Sequence, residues 1–354
     1  VDVPTYELPD AAIAQTPVEP RDSARLLVAL DPAGTVEHRR VSDLAGLLVP
    51  GDVLVVNSSR VLPARLHLTK ASGGAAEVLL LEPAPGAGPG VWEALVRPGK
   101  RLAPGTQLFA GGRPVVTVGE RIGDGRRLVQ LLDLVPPPAD PGPSGGAGAG
   151  RVELDRWLAD VGEIPLPPYI HEPLADPERY QTVYADHPGS VAAPTAGLHL
   201  TPGLLDACRA RDVEVLELDL AVGLGTFRPV TATRAEDHEM HAERYEIPAA
   251  TLAACRAARR VVAVGTTTVR ALETAAATGE TSGRSRLFIH GDYPWQAVDV
   301  LLTNFHQPRS TLLLLLEAFC GPRWRDLYAA ALASGYRFLS FGDAMIVSGG
   351  RARR

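Results

Sequence analysis

The chain has 354 residues, 45% of them hydrophobic and 21% charged, and a formal net charge of −6. That length allows two or three domains with a substantial core, and the composition excludes a disordered or membrane-embedded chain. The excess of acid excludes a molecule that holds nucleic acid through its overall charge, so such a partner needs a local basic patch.

The leucine run Leu312–Leu316 stops at Glu317, far short of the ~20 residues a spanning helix needs. No membrane association is expected. The first residues carry no basic and apolar leader, so no secretion signal is expected either. Cys208, Cys255 and Cys320 are scattered and odd in number, which gives neither a disulfide framework nor zinc spacing and suits the cytoplasm.

Residues 1–62 read as the first part of an α/β domain. Gly51–Val56 is a buried strand ending in the polar turn Asn57-Ser58-Ser59-Arg60. Residues 63–150 have a different texture. Short β-rich runs (Glu77–Glu82, Val91–Val96, Pro114–Val118, Arg127–Val135) alternate with Gly- and Pro-rich turns, as in a small antiparallel barrel. Val135–Gly150 reads as a Pro/Gly linker closing that insertion.

Residues 151–354 return to α/β and carry the main loops. Strands are expected at Val213–Leu220, Val261–Gly265, Ala297–Leu302 and Tyr336–Phe341, and helices at Pro248–Arg260, Thr268–Ala277, Thr311–Phe319 and Trp324–Ser334. This alternation predicts a mainly parallel sheet covered on both faces. The barrel is then an insertion into one α/β domain built from both ends of the chain.

Ligands in such sheets sit where strands end and loops begin. Pro188–Thr201 (P-G-S-V-A-A-P-T-A-G-L-H-L-T) offers Pro194, Thr195, Gly197 and His199, and Thr201-Pro202 is a helix start. Gly223-Leu224-Gly225-Thr226 lacks the third glycine of a dinucleotide fingerprint. Gly265-Thr266-Thr267-Thr268 presents N–H groups and hydroxyls at a helix N-terminus. Arg270 and Glu273, three apart, are placed to pair with each other.

His238-Glu239-Met240-His241-Ala242-Glu243 has two histidines beside carboxylates, but not at H-E-x-x-H spacing, so acid–base or ligand-binding roles are favoured over metal. Asn304 and His306 lie in the next loop, where Ser310 or Thr311 caps a helix. Phe341-Gly342-Asp343 is a turn after the last expected strand. Together these loops point to an enzyme with a polar small-molecule pocket.

Read in order, several segments resemble the S-adenosylmethionine:tRNA ribosyltransferase-isomerase family of queuosine biosynthesis. They are Gly51–Arg65, G-E-I-P-L-P-P-Y-I (162–170), R-Y-Q-T-V-Y-A (179–185), V-A-A-P-T-A-G-L-H (191–199), V-G-L-G-T-F-R-P-V (222–230), V-G-T-T-T-V-R-A-L-E, T-N-F-H-Q-P-R-S-T-L and G-D-A-M. Leu220-Ala221 stands where that family usually has a histidine, and M-H-S-E becomes Met240-His241-Ala242-Glu243.

The resemblance implies an α/β domain with an inserted barrel. It also implies transfer of the ribosyl part of S-adenosylmethionine to the aminomethyl group of a 7-deazaguanine in tRNA, forming epoxyqueuosine and releasing adenine and methionine. His199, His238, His241 and His306 are then the acid–base candidates. Arg60, Pro194, Thr195, Gly197, Gly223, Gly225, Thr226, Glu243, Gly265, Thr266, Thr267, Arg270, Asn304 and Asp343 are the substrate-binding candidates. S-adenosylmethionine is expected as co-substrate with no other cofactor and no metal, and the chain as a monomer or weak homo-oligomer. The alternatives are a relative that uses S-adenosylmethionine on a free small molecule, and an RNA-binding module without chemistry. The tRNA reading predicts a basic surface from Arg60, Arg65, Arg97, Lys100 and Arg101.

Overall fold

The structure, a computed structural model, describes residues 1–31, 34–99, 101–132, 146–223 and 229–350. It divides into two compact units. One comprises Val1–Arg60, Leu166–Pro188 and Ala192–Arg354, and the other Val61–Pro165 with Gly189–Val191.

In chain order the first elements are β1 (Arg25–Ala29), β2 (Glu37–Arg40), α1 (Leu44–Leu47), β3 (Asp52–Asn57) and the short β4 (Ser59–Val61). The barrel strands follow: β5 (Arg65–Lys70), β6 (Ala75–Pro83), β7 (Val91–Arg97), β8 (Gln107–Ala110), β9 (Arg113–Gly123) and β10 (Arg126–Leu131). Next come α2 (Gly146–Val161), β11 (Gly162–Glu163), β12 (His187–Ser190), α3 (Pro202–Arg209), β13 (Glu214–Leu220) and β14 (Glu243–Glu246). The chain continues through α4 (Ala249–Ala257), β15 (Arg260–Val264), α5 (Thr266–Thr278) and β16 (Ser282–Ser285). It ends with β17 (Val300–Asn304), α6 (Thr311–Cys320), α7 (Trp324–Ala333) and β18 (Ala344–Ser348).

Nine strands form the main sheet, in the order β16-β14-β13-β3-β15-β17-β18-β1-β2. The sequence D-V-L-V-V-N of β3 is buried at every position because both faces of the sheet are covered. Val53 and Val55 pack into one core with α5, α6 and α7, while Leu54 and Val56 pack into the other with α1 and α3. The neighbouring β15 splits its apolar residues the same way, Val261 and Ala263 to one side and Val262 and Val264 to the other.

The α/β fold with its inserted antiparallel barrel is the architecture expected, but the sheet is mixed rather than mainly parallel. Strands β13, β3, β15 and β17 pair in parallel, as do β18 and β1. The pairs β16–β14, β14–β13, β17–β18 and β1–β2 are antiparallel. One helix returns a chain to the start of its strand. Two in succession, α6 and α7, leave it at the far end, so β18 runs back along β17.

In the barrel β5-β6-β7-β10-β9-β8 closes on itself through β5 and β8, with β11 added beside β5. Burial alternates along V-W-E-A-L-V-R of β7 and R-R-L-V-Q-L of β10, the period of a strand with one face inside. The strands β5, R-L-H-L-T-K, and β8, Q-L-F-A, were not among the expected runs, the first because polar residues alternate through it and the second because it is only four residues long.

Most of the Pro/Gly segment 135–150 lies outside the described residues, and from Gly146 the chain is already helical. The expected strand Tyr336–Phe341 is a correction too. Its aromatic residues pack into a cluster, with Phe305 and Phe338 stacked at 4.6 Å. Leu339 adopts a φ of 68°, and only an isolated bridge pairs Phe338 with Ile13. The true strand is the following A-M-I-V-S of β18. Among the described residues no helix is long and apolar enough to cross a membrane.

Candidate active site

The carboxyl ends of β13, β15 and β17 open into one cleft, where ligands of such sheets sit. After β15, Gly265 takes a φ of +87°, which a side chain strongly disfavours. This lets helix α5 begin at once, at Thr266 rather than Thr268, with Thr266 and Thr267 lining the cleft. After β17, Thr303, Asn304, Phe305, His306 and Gln307 line it, and Ser310 caps α6 by accepting from the Leu313 N–H at 3.2 Å. The turn Ala193-Pro194-Thr195-Ala196 and the side chains of Tyr169 and Ser340 complete the walls.

The cleft polar groups are held from behind. Asn304 accepts from Thr195 Oγ1 at 2.9 Å and donates to His199 Nε2 at 3.2 Å and the Leu339 carbonyl at 3.3 Å. His199 is buried behind that amide and also hydrogen-bonds the Arg21 backbone, and burial lowers it to about 4. It is therefore a neutral imidazole at pH 7, and it does not line the cleft. His306 does line it. Its Nε2 meets Thr303 Oγ1 at 3.1 Å, its N–H donates to Tyr328 at 2.8 Å, and its carbonyl accepts from Tyr6 at 2.5 Å. Burial lowers His306 to about 3, so it too is neutral.

A second pocket is lined by His238, Met240, His241, Glu243, Arg270, Leu287, Phe288, Ile289, Thr311, Leu312 and Leu315, with Leu312 common to both. Glu243 and Arg270 are each only 6% exposed and form an ion pair. The expected Arg270–Glu273 pair does not form. Glu273 instead accepts the N–H groups of Gln296, Ala297 and Val298 at 2.9–3.0 Å, and Arg270 reaches across to β14. Gly223 donates its N–H to Glu243 at 2.8 Å. The His238 ring lies 5.4 Å from Phe288, and burial followed by the nearby His241 lowers its pKa.

Other expected site residues are placed elsewhere. The carboxylate of Asp343 accepts the N–H groups of Arg25 and Arg337 at 2.9 and 2.8 Å, pinning β1 and the last turn. Arg60 pairs with Glu178 at 2.5 Å. A β-carbon at Gly197 would meet the Tyr184 hydroxyl at 2.1 Å, so that glycine serves packing within the protein. Gly225 and Thr226 lie outside the described residues.

Sequence reasoning missed Asn57, Tyr169 and Thr303. Asn57 is buried at the end of β3, where it bonds Leu220 in both directions at 3.0 Å and Thr267 Oγ1 at 3.3 Å. It thereby ties β3, β13 and the start of α5 together. Its signal was an amide at the close of an otherwise apolar strand. Tyr169, bonded to Ser340 Oγ at 2.8 Å with its pKa raised by burial, stands in the P-L-P-P-Y-I segment, where prolines on its N-terminal side already marked a shaped turn.

Fold and loops thus define an α/β protein with an inserted barrel and a cleft lined by hydroxyl, amide and imidazole side chains at the carboxyl ends of its strands. The family model for queuosine biosynthesis protein matches residues 2–347, and the chain belongs to that family. A protein of Rubrobacter xylanophilus named S-adenosylmethionine:tRNA ribosyltransferase-isomerase is 47% identical over 347 residues, 98% of this chain and 96% of that relative. The protein of the same name from Moorella thermoacetica is 48% identical over 353 residues, 97% of this chain and 98% of its own length. The crystal structure of an S-adenosylmethionine tRNA ribosyltransferase from Thermotoga maritima is 34% identical with a TM-score of 0.52, covering 97% of this chain and 99% of that one.

Proposed function

We infer that the chain is an S-adenosylmethionine:tRNA ribosyltransferase-isomerase. It moves the ribosyl moiety of S-adenosylmethionine onto the aminomethyl group of a tRNA-borne 7-deazaguanine, isomerises it to give epoxyqueuosine, and releases adenine and methionine. The observation that carries this is the near-complete match, at 47% and 48% identity, to relatives that bear this name. S-adenosylmethionine is the sole co-substrate on this reading, and tRNA brings the reaction to the cytoplasm.

The sulfonium acidifies the carbons beside it, so the first step needs a base that is neutral at pH 7. His238, lowered by burial and by His241, has that character, and His241 beside it is the partner for proton return. His306, neutral and bound to Thr303, suits a hydrogen bond to a ribose hydroxyl. Thr266, Thr267 and the first N–H groups of α5 suit the same polar moiety. His199 acts through Asn304, as a positioning residue.

The test is release of adenine and methionine with the aminomethyl-deazaguanine tRNA, without it, and with the free base. Release that depends on the tRNA, together with the modified nucleoside in its digest, supports the reading. Turnover of the free base alone, insensitive to salt, overturns the tRNA assignment.

A further inference from the structure

The second pocket holds a cation with unused donors. Arg270 projects from α5, donates Nε to the Leu287 carbonyl at 3.1 Å and Nη1 to Glu243, and leaves its buried Nη2 without a hydrogen-bond partner. A buried guanidinium nitrogen without an acceptor is costly, and Arg270 is one of the residues that line the pocket. The pair with Glu243 neutralises the charge but leaves the free edge of the fork, the geometry that takes a carboxylate.

We propose that this pocket is an α-amino-acid subsite, in which Arg270 Nη2 binds the carboxylate of the methionyl end of S-adenosylmethionine and, after reaction, of free methionine. The chemistry of the walls fits that occupant. Met240, Leu287, Phe288 and Leu315 suit a methylene and thioether chain, with sulfur against an aromatic ring. Glu243 lines the same pocket, and its negative charge suits the α-ammonium. Apolar walls are wrong for a nucleotide phosphate. Leu312, common to both pockets, puts the methionyl subsite next to the polar cleft, where Thr266, Thr267 and His306 await the ribosyl part.

The assignment rests on the function inferred above, and its test separates the two. Binding to the full-length protein is measured by calorimetry for S-adenosylmethionine, its decarboxylated analogue, and L-methionine. Loss of a charge-assisted pair corresponds to roughly 10- to 100-fold, so the decarboxylated analogue is expected to bind the wild type weaker by that factor, and L-methionine to compete with S-adenosylmethionine. In Arg270→Gln the preference for the carboxylate is expected to shrink to a few-fold.

Equal affinity of the wild type for the two sulfonium compounds overturns the subsite while leaving tRNA-dependent adenine release, and hence the enzyme assignment, intact. A preference retained in folded Arg270→Gln overturns it as well. The wild-type comparison decides the matter even if the variant fails to fold. Absence of any saturable S-adenosylmethionine binding, both with and without the tRNA, overturns both readings.

Discussion

The side-chain amide of Asn304 donates to Nε2 of His199 across 3.2 Å, so the histidine of the P-T-A-G-L-H turn serves the wall of the cleft from behind. The same amide carbonyl takes the hydroxyl of Thr195 at 2.9 Å. One asparagine at the end of β17 therefore fixes two cleft residues, itself and Thr195, relative to a buried imidazole.

His199→Ala removes the acceptor for that amide and is expected to lower turnover about 10-fold. The pH dependence of kcat should keep its shape, because His199 stays neutral and does not face the cleft. His238→Ala should instead reduce the rate by roughly 100-fold or more, the usual scale for a lost acid–base group, and remove a limb of the profile. Steady-state kinetics across pH 5.5–9 distinguish these roles, and an altered profile in His199→Ala would contradict the positioning role.

Glu243→Gln is expected to destabilise the protein by about 3 kcal/mol. It leaves the Arg270 charge buried opposite a neutral amide, and breaking one partner of a buried pair typically costs about 3–5 kcal/mol, less here because glutamine still offers a carbonyl. Urea unfolding with an unchanged slope and a lowered midpoint is the expected record. A midpoint equal to the wild type would show that the pair contributes nothing to stability.

The sheet was legible because its strands announce themselves. D-V-L-V-V-N and R-V-V-A-V can only be buried on both faces, and glycine or threonine follows where the chain must turn toward a ligand. The cleft residues Thr266, Thr267, Asn304 and His306 were legible for the same reason, as polar groups at strand ends. What could not be read was how the polar groups pair across the fold. Arg270 has Glu273 three residues away and Glu243 on another strand, and local spacing favours the wrong one. Only the fold shows that three backbone N–H groups claim Glu273. Nor does any pattern distinguish His199, sealed behind Asn304, from His306, which faces the cleft. Asp343 read as a ligand group, and nothing local announces that its carboxylate accepts the N–H groups of Arg25 and Arg337.

A tRNA substrate requires local positive charge on a chain of net charge −6. Arg97 and Arg101 are exposed on the barrel unit. Arg65 belongs to the same unit, Arg60 to the other, and Lys100 lies outside the described residues. The double variant Arg97→Ala/Arg101→Ala is expected to weaken tRNA binding several-fold and to flatten its salt dependence by about one to two contacts, with S-adenosylmethionine affinity unchanged. Filter binding between 50 and 200 mM salt, on the order of the range where such effects are large, checks it. Equal slopes for variant and wild type would remove this surface from the tRNA contact.

Stability should fall on mild acidification because two imidazoles are buried neutral. Burial takes His199 from 6.5 to about 4 and His306 from 6.5 to about 3. Unfolded, both take up protons near pH 6.5; folded, they do not until far lower, so the unfolded state binds more protons throughout the interval. Their contribution is therefore fully present above pH 6.5 and is lost as pH falls toward 4 and then 3. Each adds a slope of about 1 kcal/mol per pH unit, together about 2–3 kcal/mol per unit near pH 5. Urea unfolding at pH 7.5, 6 and 5.5 isolates this effect, since most carboxylates remain ionised over about that range. His306→Gln should halve the slope, keeping a hydrogen-bonding side chain without a proton to gain. A wild-type stability that is flat from pH 7.5 to 5.5 would mean that both rings take up protons in the folded protein as readily as in the unfolded chain, and a halved slope that one of them does.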